Sequence, residues 1–197
     1  MRQIADYLIS NTCQELNYEA LASQFSLGSQ TTAKKYVDYL TQAFLMLPLH
    51  KYSFKSRTRI RDSKGYVVDT GMIANRKDAL LPANYGWRLE NIVYVELLRR
   101  GAPLFHDVYY YKPTSRSKEV DFVVCEQGHV IELIQVAYDL VLPKTFKRET
   151  EALVQAAEKL HCKELTLVAV TESRDVMVNG STIHIRHVVD WLLSREY

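Results

Sequence analysis

The chain has 197 residues, is 47% apolar and carries a formal net charge of +2. It can therefore bury a core, and it is neither disordered by composition nor basic enough overall to demand a nucleic-acid partner. Three widely separated cysteines, Cys13, Cys125 and Cys162, fit neither a disulfide framework nor a zinc-ligand spacing, and no stretch has signal-peptide character or approaches the roughly 20 apolar residues that span a bilayer, so a cytoplasmic protein without a membrane partner is expected.

In chain order, a short helix is expected over 3–12, with Ile4, Tyr7 and Leu8 on one face. Asn17 can cap a helix over 18–25, Ser26-Leu27-Gly28 makes a sharp turn, and Ser29 can cap a second helix reaching about residue 44. In that second helix Ala33, Tyr36, Val37, Leu40 and Phe44 recur at core spacing. Helix, glycine-bearing turn, helix is the helix-turn-helix pattern. The face left outward holds Gln30, Thr31, Lys34, Lys35 and Asp38. It can meet DNA phosphates and base edges, or it is a solvated face in which Lys34 and Asp38 form an ordinary i, i+4 pair. Alternation at 50–55, a basic stretch at 56–64 and a β run at 65–69 look like the wing of a winged helix, so residues 1–80 read as a winged helix-turn-helix domain. Arg57, Arg59 and Arg61 can follow a phosphate backbone, or simply keep an exposed loop soluble.

Residues 76–86 lose periodicity and contain Pro82 and Gly86, which places a domain boundary there. A helix over 87–100 turns Leu89, Ile92, Val93 and Leu97 inward and is ended by Gly101. Glu90 sits beside that apolar stripe, whereas Glu96 reads as a surface residue. Tyr109, Tyr110 and Tyr111 lie on a strand, where alternation sends neighbours to opposite faces, so stacking on bases and core packing both stay open. Next, 118–125 and 129–138 read as two strands joined by a turn at Glu126-Gln127-Gly128. An amphipathic helix over 144–160, a buried strand over 165–171, a strand over 183–187 and a terminal helix over 188–195 complete the chain.

The hairpin brings Asp121 roughly opposite Ile134-Gln135-Val136-Ala137, so a carboxylate, a carboxamide and a methyl group converge. This resembles the core of the PD-(D/E)xK nuclease superfamily, with Asp121 in the Asp position, Gln135 where the second carboxylate belongs and Ala137 where the lysine belongs. The resemblance implies a restriction-endonuclease-like mixed sheet flanked by helices over 81–197, α/β in its second half and α+β overall. It also makes Glu90 a candidate site residue that supplies or orients a metal ligand, although a first-turn carboxylate is favoured by the helix dipole in any case. Phosphodiester cleavage in such a site needs hard anionic oxygens around magnesium, and usually a cation. Here Gln135 brings no charge and Ala137 no cation, so Asp121 is the remaining candidate metal ligand and magnesium the cofactor an active site would use. A lysine arriving from Lys112, Lys118 or Lys144 would be needed to complete it.

Residues Ser63-Lys64-Gly65-Tyr66-Val67-Val68-Asp69-Thr70-Gly71-Met72-Ile73, followed by Gly86-Trp87-Arg88-Leu89-Glu90-Asn91, resemble the signature of the uncharacterised C-terminal domain carried by a large family of bacterial and archaeal AAA-type ATPases. The resemblance implies an ATPase domain of the same protein or family as partner. No phosphate-binding loop ending in Gly-Lys-Ser or Gly-Lys-Thr occurs, so no ATP site is expected in this chain. The function expected is a DNA-binding or targeting module with a degenerate, non-catalytic nuclease-like site. The alternatives are a protein-interaction or homo-oligomerisation module for the ATPase, and a weak metal-dependent DNA nuclease.

Overall fold

The computed structural model describes residues 2–53, 62–74, 85–101 and 106–194. Helices α1 (Arg2–Ser10), α2 (Tyr18–Gln24) and α3 (Gln30–Gln42) precede the longer strands. Both expected caps are present: Asn17 accepts from the Ala20 N–H at 2.9 Å and Ser29 from the Thr32 N–H at 3.1 Å. Strands β1 (Gln14–Glu15), β2 (Met46–His50) and β3 (Ser63–Val67) form an antiparallel sheet in the order β1-β3-β2. The central strand contains Gly65 for a packing reason, since a Cβ there would lie 2.8 Å from Met46 Cε and 3.0 Å from Leu16 Cδ2. Phe44 departs from the expected core face. It lies beyond the end of α3 in a left-handed conformation, φ 54°, and its ring is 73% exposed.

After a single turn α4 (Gly71–Ala74), α5 (Tyr85–Arg99) leads into a six-stranded sheet. Its strands are β4 (His106–Tyr111), β5 (Val120–Glu126), β6 (His129–Ala137), β7 (Leu165–Ala169), β8 (Arg174–Val178) and β9 (Ser181–His187), in the order β4-β5-β6-β7-β9-β8. Pairings β6–β7 and β7–β9 are parallel and the others antiparallel, so the sheet is mixed. Helix α6 (Pro143–Leu160) crosses between β6 and β7, and α7 (Val188–Leu193) follows β9. The expected fold class, α+β with a mixed sheet flanked by helices, is thus observed. The expected hairpin is β5–β6, with Gln127 and Gly128 both at positive φ in its turn. Strand β8 was not expected; it joins β9 through Asn179-Gly180, also both at positive φ.

Three apolar clusters hold these layers. One lies among the helices of the N-terminal segment, from Ile4 and Leu8 to Val37, Leu40 and Val67. Another joins Val123, Leu133 and Leu167 of the six-stranded sheet to Leu153 and Ala157 of α6. The third is shared between the two halves of the chain, because Cys13, Leu49 and Tyr66 pack with Val93, Tyr94, Phe122 and Trp191. Among the consecutive tyrosines Tyr110 is buried, while Tyr109 and Tyr111 are half-buried and meet Tyr52 edge-on. Among the described residues no helix is long and apolar enough to cross a membrane.

Candidate functional site

The N-terminal turns of α5 and α6 and the ends of β5 and β6 enclose a cleft of about 740 Å³, whose lining includes Glu90, Glu119, Asp121, Gln135, Ala137 and Glu149. The three residues expected to converge do so. Asp121 Oδ2 accepts the Val136 N–H at 2.9 Å, and the Asp121 N–H donates to Gln135 Oε1 at 3.3 Å. Gln135 Nε2 in turn donates to Glu149 Oε2 at 2.9 Å, and Glu149 Oε1 accepts from Arg148 Nε at 2.7 Å. The carboxamide therefore has both ends occupied, one by backbone and one by a carboxylate of α6.

Glu90 faces the same cleft from α5, and its environment is set by the other half of the chain. Its Oε1 accepts from Tyr66 Oη at 2.7 Å and from Lys64 Nζ at 3.2 Å, both residues of β3. Lys64 also pairs with Glu119, whose other oxygen lies 3.3 Å from Lys112 Nζ, and its ammonium sits 5.5 Å from the centre of the Tyr110 ring. Next to Glu90, Asn91 is wholly buried and brackets β3: its Nδ2 donates to the Val67 carbonyl at 2.8 Å and its Oδ1 accepts the Val67 N–H at 2.9 Å. The Thr12 hydroxyl donates to the same Oδ1 at 2.7 Å. The two sequence motifs around Lys64-Gly65-Tyr66 and Glu90-Asn91 are thus two sides of one contact.

Electrostatics follow from this enclosure. Burial pushes the Asp121 pKa well above the carboxylate range and the charge of Glu90 adds to it, with Lys64 opposing both. Glu90 is likewise raised by burial, against the pull of Lys64 and the Tyr66 hydroxyl. For Lys64, burial disfavours the ammonium, but Glu90, Asp121 and Glu119 outweigh it and hold its pKa above the ordinary lysine range.

This donor set does not fit magnesium. One Asp121 oxygen and the Gln135 carbonyl are taken by backbone amides, and the charge of Glu90 and Glu119 is met by an ammonium. Among the described residues no three His, Cys, Asp or Glu side chains form a group suited to a metal ion.

Glu119, Glu149 and Arg148 were not expected at the cleft, nor Lys64 and Tyr66 against its Glu90; the signal for Lys64 lay in its motif rather than in the basic run to which its charge assigned it. Of the lysines considered for the Ala137 position, Lys118 lines the cleft and pairs with Glu151, and Lys112 pairs with Glu119 and Glu15. Lys144 is exposed. Glu96 corrects the expectation of a surface residue. It is only 9% exposed and its carboxylate is held by Arg99 Nε at 2.6 Å and Arg100 Nε at 2.8 Å. On α3, Lys34 and Lys35 are exposed, and Lys34 pairs with Asp38 at 2.9 Å. Arg57, Arg59 and Arg61 lie outside the described residues. In a larger cavity of about 870 Å³, whose lining includes Arg100, Glu132, Thr166 and Trp191, Thr166 donates to Glu132 and Arg100 stacks 4.2 Å from the Trp191 ring centre.

The molecule is therefore an α+β chain whose six-stranded mixed sheet carries an acidic cleft, two of whose carboxylates, Glu90 and Glu119, pair with a lysine of the preceding sheet. It belongs to the family described as Domain of unknown function (DUF4143), whose model matches residues 85–188, and residues 1–81 match a second model, Domain of unknown function (DUF8612). An uncharacterized protein of Haemophilus influenzae is 31% identical over 201 residues, covering 98% of this chain and 46% of that protein. One of Methanocaldococcus jannaschii is 33% identical over 173 residues, covering 87% of this chain and 37% of its own length. The chain spans less than half the length of these curated relatives. No solved structure matches it.

Proposed function

We propose that this chain is a DNA-binding or targeting module of an AAA-type ATPase, a winged helix joined to a PD-(D/E)xK nuclease-like fold that does not cleave. The observation that carries the non-catalytic part is the cleft itself. Its one nuclease-like carboxylate, Asp121, is raised toward the neutral form, its neighbours are a carboxamide and a methyl group, and the nearby acids are neutralised by Lys64. The DNA-binding part is supported by α2, a glycine-bearing turn and α3, whose Gln30, Thr31, Lys34 and Lys35 are exposed. The ATPase partner is supported by the paired motifs and by relatives more than twice as long as the segment they share with this chain.

The test is duplex binding as a function of salt. Affinity should fall steeply with salt, and replacing Lys34, Lys35, Arg57 and Arg59 with Ala should flatten the log–log slope by about 0.9 for each phosphate that is no longer neutralised. An unchanged slope would favour the second reading, a protein-docking module. That reading has its own support in the exposed Tyr138, Val141 and Leu142, which lie together with Trp87 at the mouth of the cleft or next to it.

A further inference from the structure

Lys64 is 5% exposed, and its ammonium lies in contact with two carboxylates of the opposite half of the chain, Glu90 and Glu119, within the electrostatic reach of a third, Asp121. The buried Glu90 of α5 and Asp121 of β5 and the part-exposed Glu119 on the approach to β5 would repel one another without a cation between them; Lys112 meets the outer oxygen of Glu119 at 3.3 Å, and Lys64 is the cation set between Glu119 and Glu90. Metal sites of the fold it resembles neutralise such acids with a divalent ion. Here the positive charge is covalently attached to the chain, and Tyr66 and Tyr110 complete its surroundings by donating to Glu90 and by offering a ring face.

We propose that Lys64 Nζ is the resident cation of the acidic cleft, a tethered ammonium that does the charge neutralisation of a metal ion and keeps divalent cations out. This rests on the reading of the cleft as a nuclease-like metal site that has lost its chemistry. It also explains why β3 and α5 carry paired motifs, since the ammonium and its acids are useful only together.

The probe is manganese alone, titrated into the full chain by calorimetry and by thermal unfolding. The unmodified chain should show no saturable binding. Lys64→Ala should gain saturable manganese binding, and its unfolding temperature should rise with manganese concentration. Lys64→Arg, which keeps the charge, should behave like the unmodified chain, and adding Asp121→Asn to Lys64→Ala should weaken the binding gained. If Lys64→Ala folds only when manganese is present, the inference is supported. If it folds in neither condition, the combination Lys64→Ala with Glu90→Gln, which removes one buried anion with the cation, carries the same titration, and absence of binding there overturns the inference. Equal manganese binding with and without Lys64 also overturns it. Failure of the non-catalytic reading is seen separately, as DNA cleavage by the unmodified chain.

Discussion

Lys64 neutralises Glu90, which α5 buries, together with the part-exposed Glu119, so its removal leaves the buried Glu90 charge without its ammonium. Breaking a buried pair in this way costs about 3–5 kcal/mol, and urea denaturation of Lys64→Ala in a chelator should show a loss of that order. Asp121 gives a pH signature. Burial and the charge of Glu90 raise its pKa in the folded chain, so the folded chain keeps a proton that the unfolded chain releases. The associated stability is complete below the ordinary Asp value near ~3.9 and is lost as pH rises through the folded value. Asp121→Asn keeps an acceptor for the Val136 N–H and removes the titration. Its stability should therefore exceed that of the unmodified chain by a margin that grows as pH rises from the ordinary Asp value toward the raised folded value, by the same linkage. A margin that shrinks over that range would mean the Asp121 carboxylate is stabilised in its charged form.

Among the secondary-structure elements, α5 is fixed to β3 by Asn91, which satisfies both backbone groups of Val67 and accepts from Thr12. Asn91→Ala leaves these groups buried without partners, at about 1–3 kcal/mol each, so a loss of several kcal/mol in chemical denaturation is expected, and a loss under 1 kcal/mol (roughly one ordinary hydrogen bond) would show that β3 does not depend on it. The β5–β6 hairpin, with Asp121 facing the Gln135 region, was legible from the β-branched runs and Gly128, because strand register follows from local turn geometry. Lys64 was not legible as a cleft residue. A run of basic residues along the chain says nothing about burial, and the partners of Lys64 come from elements whose approach is set by the shared core of Tyr66, Tyr94 and Phe122. Strand β8 carried the Asn179-Gly180 signal, yet its Arg174, Asp175 and Met177 are exposed, so no apolar alternation marked it as a strand. Phe44 fell outside the helix because the chain leaves α3 after Gln42 and turns left-handed two residues later.

Across the full chain, the shared cluster and the Lys64 contacts tie the N-terminal sheet to the six-stranded sheet. Trp87 and Trp191 both lie in the second half and Trp191 packs in the shared cluster, so their fluorescence reports that half and the joint, whereas far-UV circular dichroism also follows α1, α2 and α3. The two signals should lose structure at the same urea concentration, as one cooperative unit does. An earlier loss of ellipticity with unchanged tryptophan emission would show that the halves unfold independently. The same joint bears on the cleft, since its lining residues Glu90 and Glu119 pair with Lys64 of the first half.

Whether the cleft is chemically silent is decided by nicking of supercoiled plasmid by the purified 197-residue chain in magnesium and in manganese. With Gln135 and Ala137 in place of a second carboxylate and a lysine, and Lys64 committed to Glu90 and Glu119, no conversion above a protein-free control is expected. Nicking by the unmodified chain that Asp121→Ala abolishes would show instead that the site is a working nuclease.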